Sequence, residues 1–217
     1  VERSRGLGDV YKRQEHLGVV FDDLRVPDKL TLQSINKVFT EIYDAWNSDT
    51  FFSLIKAFEL PTNNQIKTFS RGMRMKAALT IALSHDAKLL ILDEATAGMD
   101  VSGREHVLEI LEDYLGDDRA ILISSHISED IEQLATQLVF MRDGRIILKE
   151  SKEVLLSQYG IIDQPVEHFN ISNEYLIATR RRNDRQISLV NNYQKVPDAQ
   201  PLKTIDDATK IIMRGEV

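Results

Sequence analysis

The chain has 217 residues, 42% of them hydrophobic, no cysteine, and a formal net charge of −7 at pH 7. That length suits one α/β domain with a small appendage, and the acidic balance, with a pI near 5.3, argues against a general nucleic-acid binder. A chain without cysteine has neither a disulfide framework nor a thiolate metal site, and no apolar run here approaches the ~20 residues of a membrane-spanning helix.

Residues 1 to 14, VERSRGLGDVYKRQ, show neither helical nor alternating apolar period. A phosphate loop needs G-x-x-x-x-G-K-[ST], so that backbone N–H groups cradle phosphate and a hydroxyl reaches Mg²⁺. Read from Gly6, Tyr11 stands where the second glycine belongs and Arg13 where the hydroxyl belongs, and no strand precedes. The stretch is similar to translated adapter sequence, and the expectation is a non-native leader with the true phosphate loop lying upstream.

Leu17 to Phe21 then read as a strand, followed by Asp22 and Asp23; by itself this is equally a short edge strand ending in an acidic turn. Over residues 31 to 46, Leu32, Ile35, Val38, Phe39, Ile42 and Trp46 fall on one helical face, and residues 50 to 58 offer a shorter amphipathic helix closed by Pro61 to Asn64. Ser70 is a good N-cap for a helix from Arg71, whose first-turn N–H groups and dipole make an anion site that Gly72 opens to close approach. An ordinary capped helix explains Ser70 and Gly72 equally well.

The apolar run Leu89 to Leu92 ends abruptly in Asp93 and Glu94. At the carboxyl end of a parallel strand, where ligands bind in open α/β sheets, the first carboxylate can hold Mg²⁺ and the second can activate a water. A buried strand followed by an acidic turn is the plainer alternative. The turn Gly98-Met99-Asp100 follows, then a capping box at Ser102 to Glu105 and a helix running to Leu115. Ala120 to Ile123 form the next strand; His126 lies 33 residues after Asp93, one crossover in length, and so emerges at the same edge. Ser128 reads as the cap of another short helix. Asp143-Gly144 marks a hairpin between residues 138–142 and 145–148, residues 151–159 a helix, residues 175–179 and 186–190 two strands, and residues 204–214 a last helix. Arg180 to Arg182 read as a solvated strand end.

Taken together and in order, Phe69-Ser70-Arg71-Gly72-Met73, the Asp93-Glu94 pair, Asp100 and His126 resemble the ATPase subunit of ATP-binding cassette (ABC) transporters. The resemblance covers about residues 15 to 160 and implies an α/β, P-loop NTPase-like, mostly parallel core without its first strand and phosphate loop. It further implies a helical subdomain over about residues 28 to 85 and a small C-terminal α+β region from residue 161. Asp93 takes the metal role, Glu94 that of the base and His126 that of the switch histidine touching the γ-phosphate. Asp22 stands where the family carries a glutamine that senses Mg²⁺ and water. Ser70, Arg71, Gly72 and Met73 occupy the signature that faces nucleotide on the opposite subunit, with Arg71 and Met73 departing from the usual Gly and Gln. Asp100 falls in the loop that crosses the dimer interface, and Ala95 replaces a proline.

The implied cofactors are ATP and Mg²⁺. The implied partners are a second ATPase subunit and a membrane-embedded transporter subunit, not nucleic acid, with a place on the cytoplasmic face of the membrane. The rivals are a soluble ABC-type ATPase acting on ribosomes or DNA, and a non-catalytic regulatory module.

Overall fold

A computed structural model describes residues 15–216, and the leader expected over residues 1 to 14 lies outside them. The chain divides into two compact units between His126 and Ile127.

The first unit is built on a three-stranded parallel sheet of order β1-β2-β3: β1 is Leu17–Val20, β2 is Leu89–Asp93 and β3 is Ala120–Ser124. Val20 pairs with Leu92, and Asp93 with Ser124, so all three strands end at one edge. Leu90 and Leu92 are fully buried while Leu89 and Leu122 are exposed, so among the described residues β2 alternates instead of being buried on both faces, as its unbroken apolar run suggested.

Between β1 and β2 come α1 (Leu32–Ile42), α2 (Ser48–Ala57) and α3 (Arg71–Leu83). Each starts on a side-chain cap: Thr31 accepts from the Ser34 N–H, Asn47 from Thr50 and Ser70 from Met73. The stripe read on α1 divides. Leu32 and Ile35 are buried, whereas Val38 and Ile42 are exposed. The helix stops at Ile42, so Trp46 reaches back from the following turn, stacking on Phe39 at 5.2 Å and donating its indole N–H to Asn36 at 2.8 Å.

α4 spans Val101–Tyr114 and its N-cap is Asp100, whose carboxylate accepts from the Gly103 N–H at 3.0 Å. The capping box read at Ser102 is therefore two residues late: the Asx cap at residue 100 places Ser102 inside the first turn. Val107, Leu108 and Leu111 form the buried face of α4.

The second unit contains α5 (Ser128–Leu134), the hairpin β4 (Gln137–Arg142) and β5 (Arg145–Ser151), and α6 (Lys152–Gln158). These are followed by β6 (Gly160–Pro165), β7 (Leu176–Arg182), β8 (Arg185–Val190), β9 (Gln200–Pro201) and α7 (Ile205–Arg214). The last four strands form a sheet of order β7-β8-β6-β9. One apolar cluster joins Leu138, Phe140 and Leu155 to Ala178, Leu189, Ile205 and Ile212, which is why residues 127–160 group with the C-terminal region and the division falls well before residue 161. The sequence shows no break at 126 because the apolar side chains on either side carry no label of which core they enter. Ser128 is the first residue of α5 and not its cap; that place falls to Ile127, and the Ser128 hydroxyl donates to Asp206. β6, to which the sequence reading gave no element, is a strand paired with β8.

Candidate functional site

The carboxyl edge of the sheet gathers four polar side chains from two adjacent strand ends. Because Asp93 stands beside Ser124 in the ladder, the Ser124 hydroxyl donates to Asp93 Oδ1 at 2.5 Å, which orients an exposed carboxylate. Among the described residues no three His, Asp or Glu side chains form a metal cage. A cation here would take Asp93 as its protein ligand and fill the other positions with phosphate oxygens and water, the ordinary way of holding Mg²⁺. The donor set fits that ion.

Glu94 is held in the left-handed region at φ 53°, a conformation that costs a non-glycine residue about 1–2 kcal/mol and that collects at functional sites. Its backbone is over-determined: its N–H donates to the Ser124 carbonyl at 3.0 Å, and its own carbonyl accepts from Ala97 at 2.9 Å. Ala95, Thr96 and Ala97 are buried, so the turn is fixed without the proline that the family carries at Ala95. The strained backbone turns the Glu94 carboxylate towards His126, whose Nδ1 lies 2.5 Å from Oε2. A proton on Nδ1 is donated to the carboxylate and leaves Nε2 as the ring's second polar atom. The His126 side chain is 70% exposed and that of Glu94 31% exposed, so the pair sits open at the edge.

The signature residues open α3. Ser70 caps through its hydroxyl, 3.2 Å from the Met73 N–H. Gly72 lies against the turn after Glu94: a Cβ there would stand 3.3 Å from the Gly98 carbonyl oxygen. Gly98, at φ 78°, packs in turn under the Arg71 side chain, which would meet its Cβ at 2.9 Å. The close approach that Gly72 permits is thus to the chain's own backbone. Asp100 follows this turn and caps α4.

Asp22 is exposed two residues after β1, at the edge where β2 ends. Its neighbour Asp23, given no role by the sequence, takes a two-pronged ion pair from Arg74, Nε to Oδ1 at 2.7 Å and Nη2 to Oδ2 at 3.2 Å. The hydrogen bond from Arg74 holds the Asp23 carboxyl below its ordinary range, and the same contact raises Arg74. Ser124, Asp23 and Arg74 were the residues that sequence reasoning missed. The register of β3 against β2 was the available signal for Ser124, whereas nothing in the sequence pairs positions 23 and 74.

The fold is the P-loop NTPase fold of ABC ATPase domains. A structure of the ATP-binding subunit of an ABC transporter superposes with a TM-score of 0.61 at 21% identity, over 69% of this chain and 65% of that one. A dimeric post-hydrolysis ATP-binding cassette bound to ADP and Pi gives 0.59 at 18% identity, over 69% of this chain and 68% of that one. The family profile described as ABC transporter matches residues 4–97, beginning ahead of Glu15. The lantibiotic transport ATP-binding protein SrtF of Streptococcus pyogenes is 37% identical over 116 residues, 54% of this chain and 47% of that protein. The ABC transporter ATP-binding protein NatA of Bacillus subtilis is 27% identical over 148 residues, 65% of this chain and 60% of that protein. The similarity to ABC transporter ATP-binding proteins thus covers residues 4–97 by profile, and the chain spans about half the length of SrtF.

Proposed function

We propose that the chain is part of the ATP-binding and ATP-hydrolysing subunit of an ABC transporter, peripheral on the cytoplasmic face, that powers a membrane-embedded partner. The observation that carries this reading is the edge itself: an oriented carboxylate, Asp93, beside a second carboxylate held by strain and by His126. Asp93 would ligate Mg²⁺, with Ser124 fixing the carboxylate that faces the ion. Mg²⁺ held there would supply positive charge that offsets the charge of the phosphates.

Glu94 is the base that orients and deprotonates the attacking water; His126 holds it through Nδ1 and keeps Nε2 for the γ-phosphate. Asp22, at the end of the neighbouring strand, lines the metal side. Ser70 to Met73 present a helix N-terminus, and with Asp100 they serve nucleotide held by a second ATPase subunit, so that the working site belongs to a dimer. No helix among the described residues is long and apolar enough to cross a membrane.

Steady-state hydrolysis of Mg-ATP by the whole subunit tests the reading. Metal-dependent turnover is the expected result, and a pure, folded subunit that hydrolyses no nucleotide overturns it. The 217-residue chain itself, with Tyr11 and Arg13 at the critical phosphate-loop positions, is expected to show no tight Mg-ATP binding by calorimetry; micromolar affinity would refute that expectation.

A further inference from the structure

Arg74, in the first turn of α3, spends its side chain on acceptors outside its own helix. A guanidinium has five N–H donors in a fixed plane. Nε donates to Asp23 Oδ1 at 2.7 Å. Nη2 donates to Asp23 Oδ2 and to the Leu24 carbonyl, both at 3.2 Å. Nη1 donates to Asp28 Oδ1 at 3.0 Å and to the Ile66 carbonyl at 3.5 Å. Every donor is used, on acceptors from three segments: the turn directly after Asp22, the start of the helical insertion at Asp28, and the short 3₁₀ turn before Phe69.

The Arg74 side chain is only 20% exposed, although Asp23 and Asp28 are largely exposed. Isolated surface ion pairs contribute little, but a bidentate pair saturated by backbone carbonyls fixes geometry as well as charge. Lysine, with one point charge and no fork, cannot reproduce it.

We propose that Arg74 is a positioning residue: it locks the loop that carries Asp22 to the first turn of α3, which carries Ser70 to Met73, so that the metal-facing loop and the phosphate-facing helix start move as one body. The inference rests on the function proposed above for Asp22 and for Ser70 to Met73. Arg74 keeps no free donor for nucleotide or metal. Its donors all end on the protein, so its effect on turnover passes through the placement of the two segments. Misplacing such segments by about 1 Å costs up to about 100-fold in rate.

Two measurements on Arg74→Lys and Arg74→Gln test the lock, with Lys88→Met as the control ion-pair variant at the opposite edge of the sheet. In the 217-residue chain, hydrogen exchange read by mass spectrometry should quicken in residues 22–28 and 66–74 together, while β2 and α4 stay protected. Unchanged exchange in those two segments, or a uniform rise across the unit, overturns the proposal.

In the whole subunit, kcat should fall about 10- to 100-fold in both Arg74 variants with KM for ATP unchanged, and lysine should fail to rescue. Wild-type kcat in Arg74→Lys, or a loss shared by Lys88→Met, contradicts it. A wild-type subunit that hydrolyses no ATP would remove the functional reading instead, and the exchange measurement would still decide whether the lock exists.

Discussion

The two ends of the same three-stranded sheet are both rich in charge, and they treat it in opposite ways. At the amino end, Lys88 reaches Asp118 at 2.7 Å and Asp86 at 3.2 Å, Arg119 stands 3.6 Å from Asp86, and the Tyr114 hydroxyl donates to the Ala87 carbonyl. Each acid there faces a base. At the carboxyl end, Asp93 is met by a hydroxyl and Glu94 by an imidazole, on a backbone twisted into the left-handed region. The acids Asp86 and Asp118 are taken up in ion pairs with lysine and arginine, whereas Asp93 is oriented by a hydroxyl and stays open to a cation. This contrast supports the site proposed at the carboxyl edge.

His126→Ala attacks the second end directly. If the imidazole steadies Glu94, its removal should slow hydrolysis about 10- to 100-fold, the usual cost of deleting a group that orients a reacting one, with the fold intact by circular dichroism. Gly98→Ala is a smaller effect on the same edge: a Cβ at φ 78° and 2.9 Å from the Arg71 side chain should cost about 1–2 kcal/mol in a denaturant titration.

Lys88→Met, at the first end, should leave turnover unchanged and shift thermal stability only slightly. Its partner Asp118 is held below its ordinary value by Lys88, and Lys88 is raised by Asp118. The pair's contribution is therefore flat across neutral pH. It is lost only in acid, as pH falls below the ordinary carboxylate pKa of about 3.9 and through the depressed value of Asp118, or in alkali, as pH rises past about 10.4 and through the raised value of Lys88. A turnover loss in Lys88→Met comparable to that of His126→Ala would erase the contrast between the two ends.

The sequence carried the parts of this site that depend on one strand or one helix at a time. The apolar run into Asp93-Glu94, the cap at Ser70 and the crossover length to His126 are local patterns, and each lands where its period placed it. What depends on two distant segments meeting was not legible. The Ser124 hydroxyl on Asp93 needs the exact ladder register, and Arg74 on Asp23 and Asp28 needs a fold of the intervening insertion. The cap of α4 was misplaced because Asp100 and Ser102 are both good N-caps two residues apart, and only the Asp100–Gly103 bond separates them. The division at residue 126 was hidden for a different reason: Leu138, Phe140 and Leu155 are ordinary apolar residues until the core they fill is seen.

The most direct test of the central claim, that the carboxyl edge of β2 is a hydrolytic site with Glu94 as its base, is Mg-ATP turnover by Glu94→Gln in the whole subunit, beside nucleotide binding. The amide keeps the size of the side chain and its place against His126 but removes its basicity. Turnover should fall about 10²- to 10⁴-fold, or roughly 3 to 5 kcal/mol in the barrier, while ATP binding survives and nucleotide accumulates unhydrolysed. Near-normal turnover in Glu94→Gln would take the base role from Glu94 and contradict the account.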